Sequence, residues 1–366
     1  MTLQIPAPTS TIEPSTADTI ATLPNGESVF LVWAGERSAY LAKTSMLRRR
    51  LARILRPPEA SGRSLSLRGV FTRIDYWLSG SKFESALLHY ALAKQYFPDQ
   101  YLKLTRLRMP AYVRLILSNE FPRTMVTTRI SGGASLYYGP FRTRAGAEQF
   151  ETQLLDLFQI RRCQENLEPS PQHPGCIYGE MNMCLRPCQQ VVGIEEYRSE
   201  AERVAHFLET NGAAALSGAE AARDRLSEEM NFEEAARQHK RIERIQSVLA
   251  LREDLVRDIE RLYVIVVTKS REAEAVRLWF SCRGSWQAPE DFPLTSDVSL
   301  DRRLRDLIGA LTPEQVRLSD REEHLALLAR WAYSSWRDGE LLIFDALDRA
   351  PYRKLVRAIS KVHGTA

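Results

Sequence analysis

The chain lacks any run of roughly 18 or more apolar residues, so no membrane-spanning helix is expected. Its first residues, MTLQIPAPTSTIEPSTADTI, lack a basic start followed by an apolar stretch, so a secretory signal is not expected and a cytoplasmic location is. Their proline, serine and threonine content predicts a disordered tail of about 25 residues, placed at 1–26. No long internal repeat is present. Net charge is also scarce: +4 over 366 residues is too little to argue nucleic-acid binding by itself. With 44% hydrophobic and 26% charged residues the composition is ordinary and globular, and the length allows two or three domains.

The distribution of charge is more informative than its sum. Nine lysines and arginines fall between Lys43 and Arg73 against one acid, Glu59. A second basic stretch holds Lys103, Arg106, Arg108, Arg114 and Arg123. Such patches attract phosphate backbones by releasing counterions, although a solvated basic face has the same composition.

Hydrophobic periodicity places the elements. Val29–Trp33 and Ala39–Ala42 read as strands around a turn at 35–38. Leu47, Leu51, Ile54 and Leu55 recur at helical spacing until Arg56-Pro57-Pro58. A third strand is expected within Val70–Leu78, then a helix carrying Phe83, Leu87 and Ala91 that stops before Pro98. Tyr112–Ser118 and Pro122–Ile130 suggest a strand pair, followed by a helix over Ala145–Phe158. Helices are expected over Glu195–Thr210, Ala219–Met230 and Glu233 to about Arg257. Tyr263–Thr268 and Ala275–Ser281 suggest a hairpin, and Arg321–Trp336 a final helix. Trp279, Trp286, Trp331 and Trp336 read as core residues rather than base-stacking platforms.

Four of the five cysteines, Cys163, Cys176, Cys184 and Cys188, fall in one loop region rich in proline and glycine; Cys282 stands apart. In a cytosolic chain this clustering points to metal or redox chemistry before disulfides. Four thiolates suit a tetrahedral zinc or an iron–sulfur cluster, and His173 is a possible replacement ligand for zinc. The wide spacing fits zinc ribbons poorly, because they use two close pairs. Partly buried cysteines without a ligand are the bland alternative.

Arg161-Arg162-Cys163, Cys176 and Cys184-Leu185-Arg186-Pro187-Cys188, preceded by Phe121-Pro122-Arg123 and Tyr138-Gly139-Pro140-Phe141, resemble the UvrC family of excinuclease subunits. The resemblance covers about residues 27–257. It implies a [4Fe-4S] cluster on the four cysteines, with zinc as the alternative. It also implies an α+β multidomain fold: a GIY-YIG-like nuclease domain at 27–100, a linker with the cysteine region at 101–192, and helices at 193–257. The last segment, 258–366, is expected to be an α+β region of unknown role.

Carried over residue by residue, the nuclease pattern keeps Tyr40 in the second motif, Lys43 after it and Arg50 on the following helix. It loses the first tyrosine to Phe30, which has no hydroxyl to pass a proton, and the metal-binding glutamate to His89. Seven-residue spacing predicts Lys43 and Arg50 on one helix face. Glu84, about 140° around the helix from position 89, points elsewhere. Imidazole is a poor magnesium ligand. Loss of a general base costs roughly 10²–10⁴ in rate, so catalysis is expected to be impaired, with Mg²⁺ or Mn²⁺ required only if activity remains.

Residues 219–249 resemble the UVR hairpin, through which such subunits bind a UvrB-like helicase. Phe232 is expected to plug the hairpin, and Ala235 and Ala236 to let its helices approach. The family's Arg-Asp is His239-Lys240 here. No acidic constellation or glycine-rich hairpin pair is found in 258–366, so no second incision is expected. Three readings follow: a DNA-binding excision-repair protein with impaired phosphodiester chemistry, an active structure-specific endonuclease making one incision, or a non-catalytic adaptor for a UvrB-like helicase.

Overall fold

The computed structural model describes residues 3–56, 66–313 and 316–364; Met1, Thr2 and the Pro57-Pro58 helix stop, with Glu59 and Arg63 of the basic stretch, lie outside them. The chain divides into two units. One comprises Met1–Arg108, Tyr263–Val316 and Arg330–Ala366, the other Met109–Leu262 and Arg317–Ala329.

In the first unit β1 (Ser10–Ile12), β2 (Ser28–Ala34), β3 (Arg37–Thr44) and β4 (Arg73–Leu78) form an antiparallel sheet in the order β1-β4-β2-β3. The run Val29–Val32 is continuously apolar because both sheet faces are covered. Phe30 and Val32 pack toward α1 (Leu47–Ile54), Val29 and Leu31 toward α2 (Lys82–Tyr96). A short helix, α3 (Tyr101–Thr105), follows. The expected disordered tail is corrected here. Ser10–Ile12 pairs with Ile74–Tyr76, and Ile12, Ile20 and Leu23 are buried in the α1-side core. A polar-looking segment is ordered because its few apolar side chains meet a sheet edge.

The second unit is built on β5 (Ala111–Ile116), β6 (Arg123–Thr127), β7 (Ser135–Phe141) and, late in the chain, the two-residue β8 (Arg257–Asp258), in the order β6-β5-β7-β8. Its core joins this sheet to α4 (Arg144–Leu155), α6 (Ile194–Glu209), α7 (Ala213–Glu228) and α8 (Phe232–Ala250). The one-turn α5 (Ile177–Glu180) sits in the cysteine loop. The expected helix to about Arg257 stops at Ala250, because the chain must turn to deliver Arg257–Asp258 to β7.

The C-terminal part of the first unit is a second antiparallel sheet. It contains β9 (Tyr263–Lys269), β10 (Ala275–Cys282), β11 (Ser285–Trp286), β12 (Glu290–Pro293) and β13 (Glu340–Phe344). Helices α9 (Leu300–Gly309) and α11 (Tyr352–Gly364) cover one face. In sequence α10 (Leu318–Ala332), most of which belongs to the second unit, comes between them; it is shorter than the expected Arg321–Trp336 at its C-terminal end. Phe83 of α2 lies against Trp279, Trp286 and Trp331, with ring centroids 4.8–5.4 Å apart. Those three tryptophans are core residues, as expected. Trp336 is only half-buried.

Candidate functional site

The nuclease-like positions gather on the first sheet and its helices. Phe30 is fully buried in β2, opposite Ala42 and Tyr76, with its ring 5.9 Å from that of Tyr40. Arg50 on α1 donates through Nη2 to the Tyr40 hydroxyl at 2.6 Å, so these two retained positions do meet. The shared helix face expected for Lys43 and Arg50 is corrected: Lys43 is on β3, which continues to Thr44 before the helix begins at Leu47.

Lys43 lies with Nζ 5.3 Å from the Trp336 ring centroid. More than a third of its surface stays accessible, yet crowding of the ammonium and then the nearby Arg330 guanidinium lower its pKa. His89 is buried in α2, and burial, then Lys43 and Arg330, push its pKa down to about 4. The imidazole is therefore neutral at physiological pH and its neighbourhood is cationic.

Glu84 does not substitute as a metal ligand. Its carboxylate accepts the Gly80 N–H at 2.8 Å and forms an ion pair with Arg277, which also pairs with Asp291. Burial raises its pKa, against the pull of Arg277. Arg330, Trp336 and Asp338 carried no local sequence signal for this pocket. Arg330 donates to the Thr105 carbonyl, and Asp338 accepts from the Lys82 backbone N–H and, at 3.2 Å, from Trp331 Nε1. Only chain folding brings them to α2.

In the second unit the cysteine loop is anchored to the sheet by Arg161. This buried side chain donates from Nε to the Phe121 carbonyl at 3.0 Å and from Nη1 to the Glu165 carbonyl at 2.8 Å, and Nη1 lies 3.8 Å from Cys163 Sγ. Tyr197 accepts the Arg161 backbone N–H at 2.7 Å and donates to the Pro122 carbonyl at 2.9 Å. Cys184 and Cys188 are buried, Cys163 is half-buried and Cys176 exposed. Burial pushes the Cys184 thiol up to about 11, and the charges of Cys163, Cys176 and Cys188 act on it in the same direction. The four sulfurs thus share one electrostatic neighbourhood. Among the described residues no group of three or more His, Cys, Asp or Glu side chains is close enough to hold a single metal ion. His173 Nδ1 already accepts the Gly175 N–H at 3.0 Å. Cys282 belongs to the core of the C-terminal sheet.

The hairpin of α7 and α8 buries Ala219, Ala235, Ile242, Ile245 and Val248. Two expectations are corrected. Phe232 does not plug it: with Asn231 capping α8, the ring projects from the first turn and is 67% exposed, beside Met230 at 77%. Of the alanine pair only Ala235 is buried, since Ala236 is turned 100° away on the same helix.

Residues 112–207 match the model of the UvrC/Cho excinuclease middle domain, the segment that holds the four cysteines. UvrABC system protein C of Moorella thermoacetica is 25% identical over 85% of this chain and 52% of its own length. The protein of the same name from Acetivibrio thermocellus is 23% identical over 88% and 53%, and that from Methanothermobacter thermautotrophicus 26% over 74% and 46%. The chain thus spans about half the length of the curated relatives it matches. No solved structure matches it significantly. Among the described residues no helix is long and apolar enough to cross a membrane. Its middle segment thus matches the UvrC/Cho model, and most of the chain is similar to UvrABC system protein C of several organisms.

Proposed function

We propose that the chain is a UvrC-like DNA-binding protein of nucleotide excision repair, holding a [4Fe-4S] cluster on Cys163, Cys176, Cys184 and Cys188 and cutting phosphodiesters poorly or not at all. The observation that carries the catalytic half is His89, a neutral, buried imidazole facing Lys43 and Arg330 where the family pattern requires a metal-binding carboxylate. With Phe30 unable to accept a proton, neither water activation nor a magnesium ligand is supplied. Tyr40 and Arg50 remain as a hydrogen-bonded pair able to contact a phosphate. Beside them α1 exposes Arg49 and Arg53, a phosphate-binding face.

The cysteine loop fits a cluster on an independent observation. Arg123 has two buried guanidinium nitrogens, Nε and Nη1, without a hydrogen-bond partner, and the Cys163 sulfur is among the charges acting on it. Buried donors without acceptors are costly. The sulfurs of a bound cluster would supply acceptors, and the two arginines, Arg123 and Arg161, would offset its negative charge. The cluster's contribution is to fix the loop and the adjoining basic surface.

Two measurements test this reading. Anaerobically purified protein is expected to contain iron and sulfide and to absorb near roughly 400 nm; zinc in place of both would overturn the cofactor. Damaged duplex is expected to be bound but not nicked in Mg²⁺ or Mn²⁺, and cleavage abolished by Arg50→Ala would establish the endonuclease reading instead. Exposed Met230 and Phe232 favour a protein contact at the hairpin as well, with a UvrB-like helicase as the partner. A pull-down unaffected by Phe232→Ala would exclude that contact.

A further inference from the structure

The C-terminal sheet ends in an unpaired edge that the proposed function does not use. Among the described residues β13 bonds to β9 on one side and to no strand on the other, in the order β11-β10-β9-β13. Such an edge presents backbone N–H and C=O groups ready to pair with another chain. Helix α11 runs beside it, and the two elements frame a groove. Leu341, Leu342 and Ile343 of β13 line it; Leu342 and Phe344 turn into the core under α11, so the half-buried Leu341 and Ile343 lie on the opposite face of the strand and flank its free edge there.

The other wall is cationic. Lys354, Arg357 and Lys361 recur at helical spacing on α11, opposite its buried stripe of Leu355, Ala358, Ile359 and Val362. Lys361 is balanced by Glu340, 2.6 Å away. Lys354 and Arg357 are exposed and have no ion-pair partner among the described residues. The groove therefore combines three features: a free hydrogen-bonding edge, an apolar flank and two uncompensated positive charges.

We propose that this groove binds an extended acidic peptide segment, which adds to β13 as a further strand. Residues of a strand alternate between faces, so the segment would place acidic side chains toward Lys354 and Arg357 and apolar ones toward Leu341 and Ile343. Nucleic acid would satisfy the cations but leave the edge amides and the apolar flank unused.

The test uses the full chain and an end-labelled peptide of alternating glutamate and valine, followed by fluorescence anisotropy and amide hydrogen exchange. The alternating peptide should bind and slow exchange within residues 340–344. A peptide of equal charge with proline at every second position, unable to complete the ladder, should fail to bind. The Lys354→Glu/Arg357→Glu pair should weaken binding about tenfold, as expected from reversing two rim charges, with the melting temperature unchanged. Equal binding of the proline peptide would overturn the proposal. So would tighter binding of a DNA duplex that slows no exchange in 340–344, which would assign the cations to nucleic acid.

Discussion

At position 89 burial and two cations set the protonation of one imidazole. The folded protein keeps this imidazole neutral down to about pH 4, whereas an unfolded chain protonates it near 6.5. Between these values the unfolded state binds more protons, so stability is lost as pH falls from 6.5 toward 4. The contribution is at most ~3 kcal/mol. His89→Gln should flatten the decline in melting temperature over that window relative to the parent protein. Comparing the two isolates the residue from Glu84 and Glu27, whose pKa values burial raises and which shift stability with the opposite sign. An identical pH slope in both proteins would mean that position 89 is not buried as described. Motif register singled out Tyr40 and Arg50, which do meet; the arrival of Arg330 beside His89 was not legible, because it lies 241 positions further along the chain.

Helices α1 and α8 each divide into a packing face and an exposed face, and substitutions on the two faces should part company. On α1, Leu47, Leu51 and Ile54 are buried while Arg49 and Arg53 are exposed. Replacing Arg49 and Arg53 by alanine should lower duplex affinity for all sequences alike and reduce the salt slope of binding by about 1 for each arginine lost. A slope that does not change would remove α1 from the DNA-binding surface. On α8, Ile245→Ala should cost ~2–5 kcal/mol in urea unfolding because it opens a cavity in the hairpin core. Phe232→Ala should lie within about 0.5 kcal/mol of the parent, since the ring is mostly in water. A large loss at Phe232 would restore the plug that the sequence suggested. Helical spacing placed a helix from Glu233, but the side on which its first turn presents Phe232 depends on where Asn231 caps the helix.

On the scale of the molecule, the first unit is assembled from the two ends of the chain. Its joint is Phe83 against Trp279, Trp286 and Trp331, flanked by the Glu84–Arg277–Asp291 ion pairs. Phe83→Ala should destabilise the protein by ~3–5 kcal/mol and alter its tryptophan fluorescence, because one ring fills the space among three indoles. A melting curve and emission spectrum indistinguishable from those of the parent would show that the two segments do not pack there.

Sequence alone determined the features that depend on neighbours along the chain: the strand–strand–helix start and the cysteine spacing with its family resemblance. Tertiary structure decided the features that depend on what packs opposite. It ordered Ser10–Ile12 by offering a sheet edge, buried His89 beside cations from remote segments, turned Phe232 to solvent and left β13 with one edge that no strand pairs among the described residues. The physical reason is range. Periodicity and motif spacing report the few residues around a position, while burial, charge environment and strand pairing are set by side chains hundreds of residues away, whose approach no local pattern encodes.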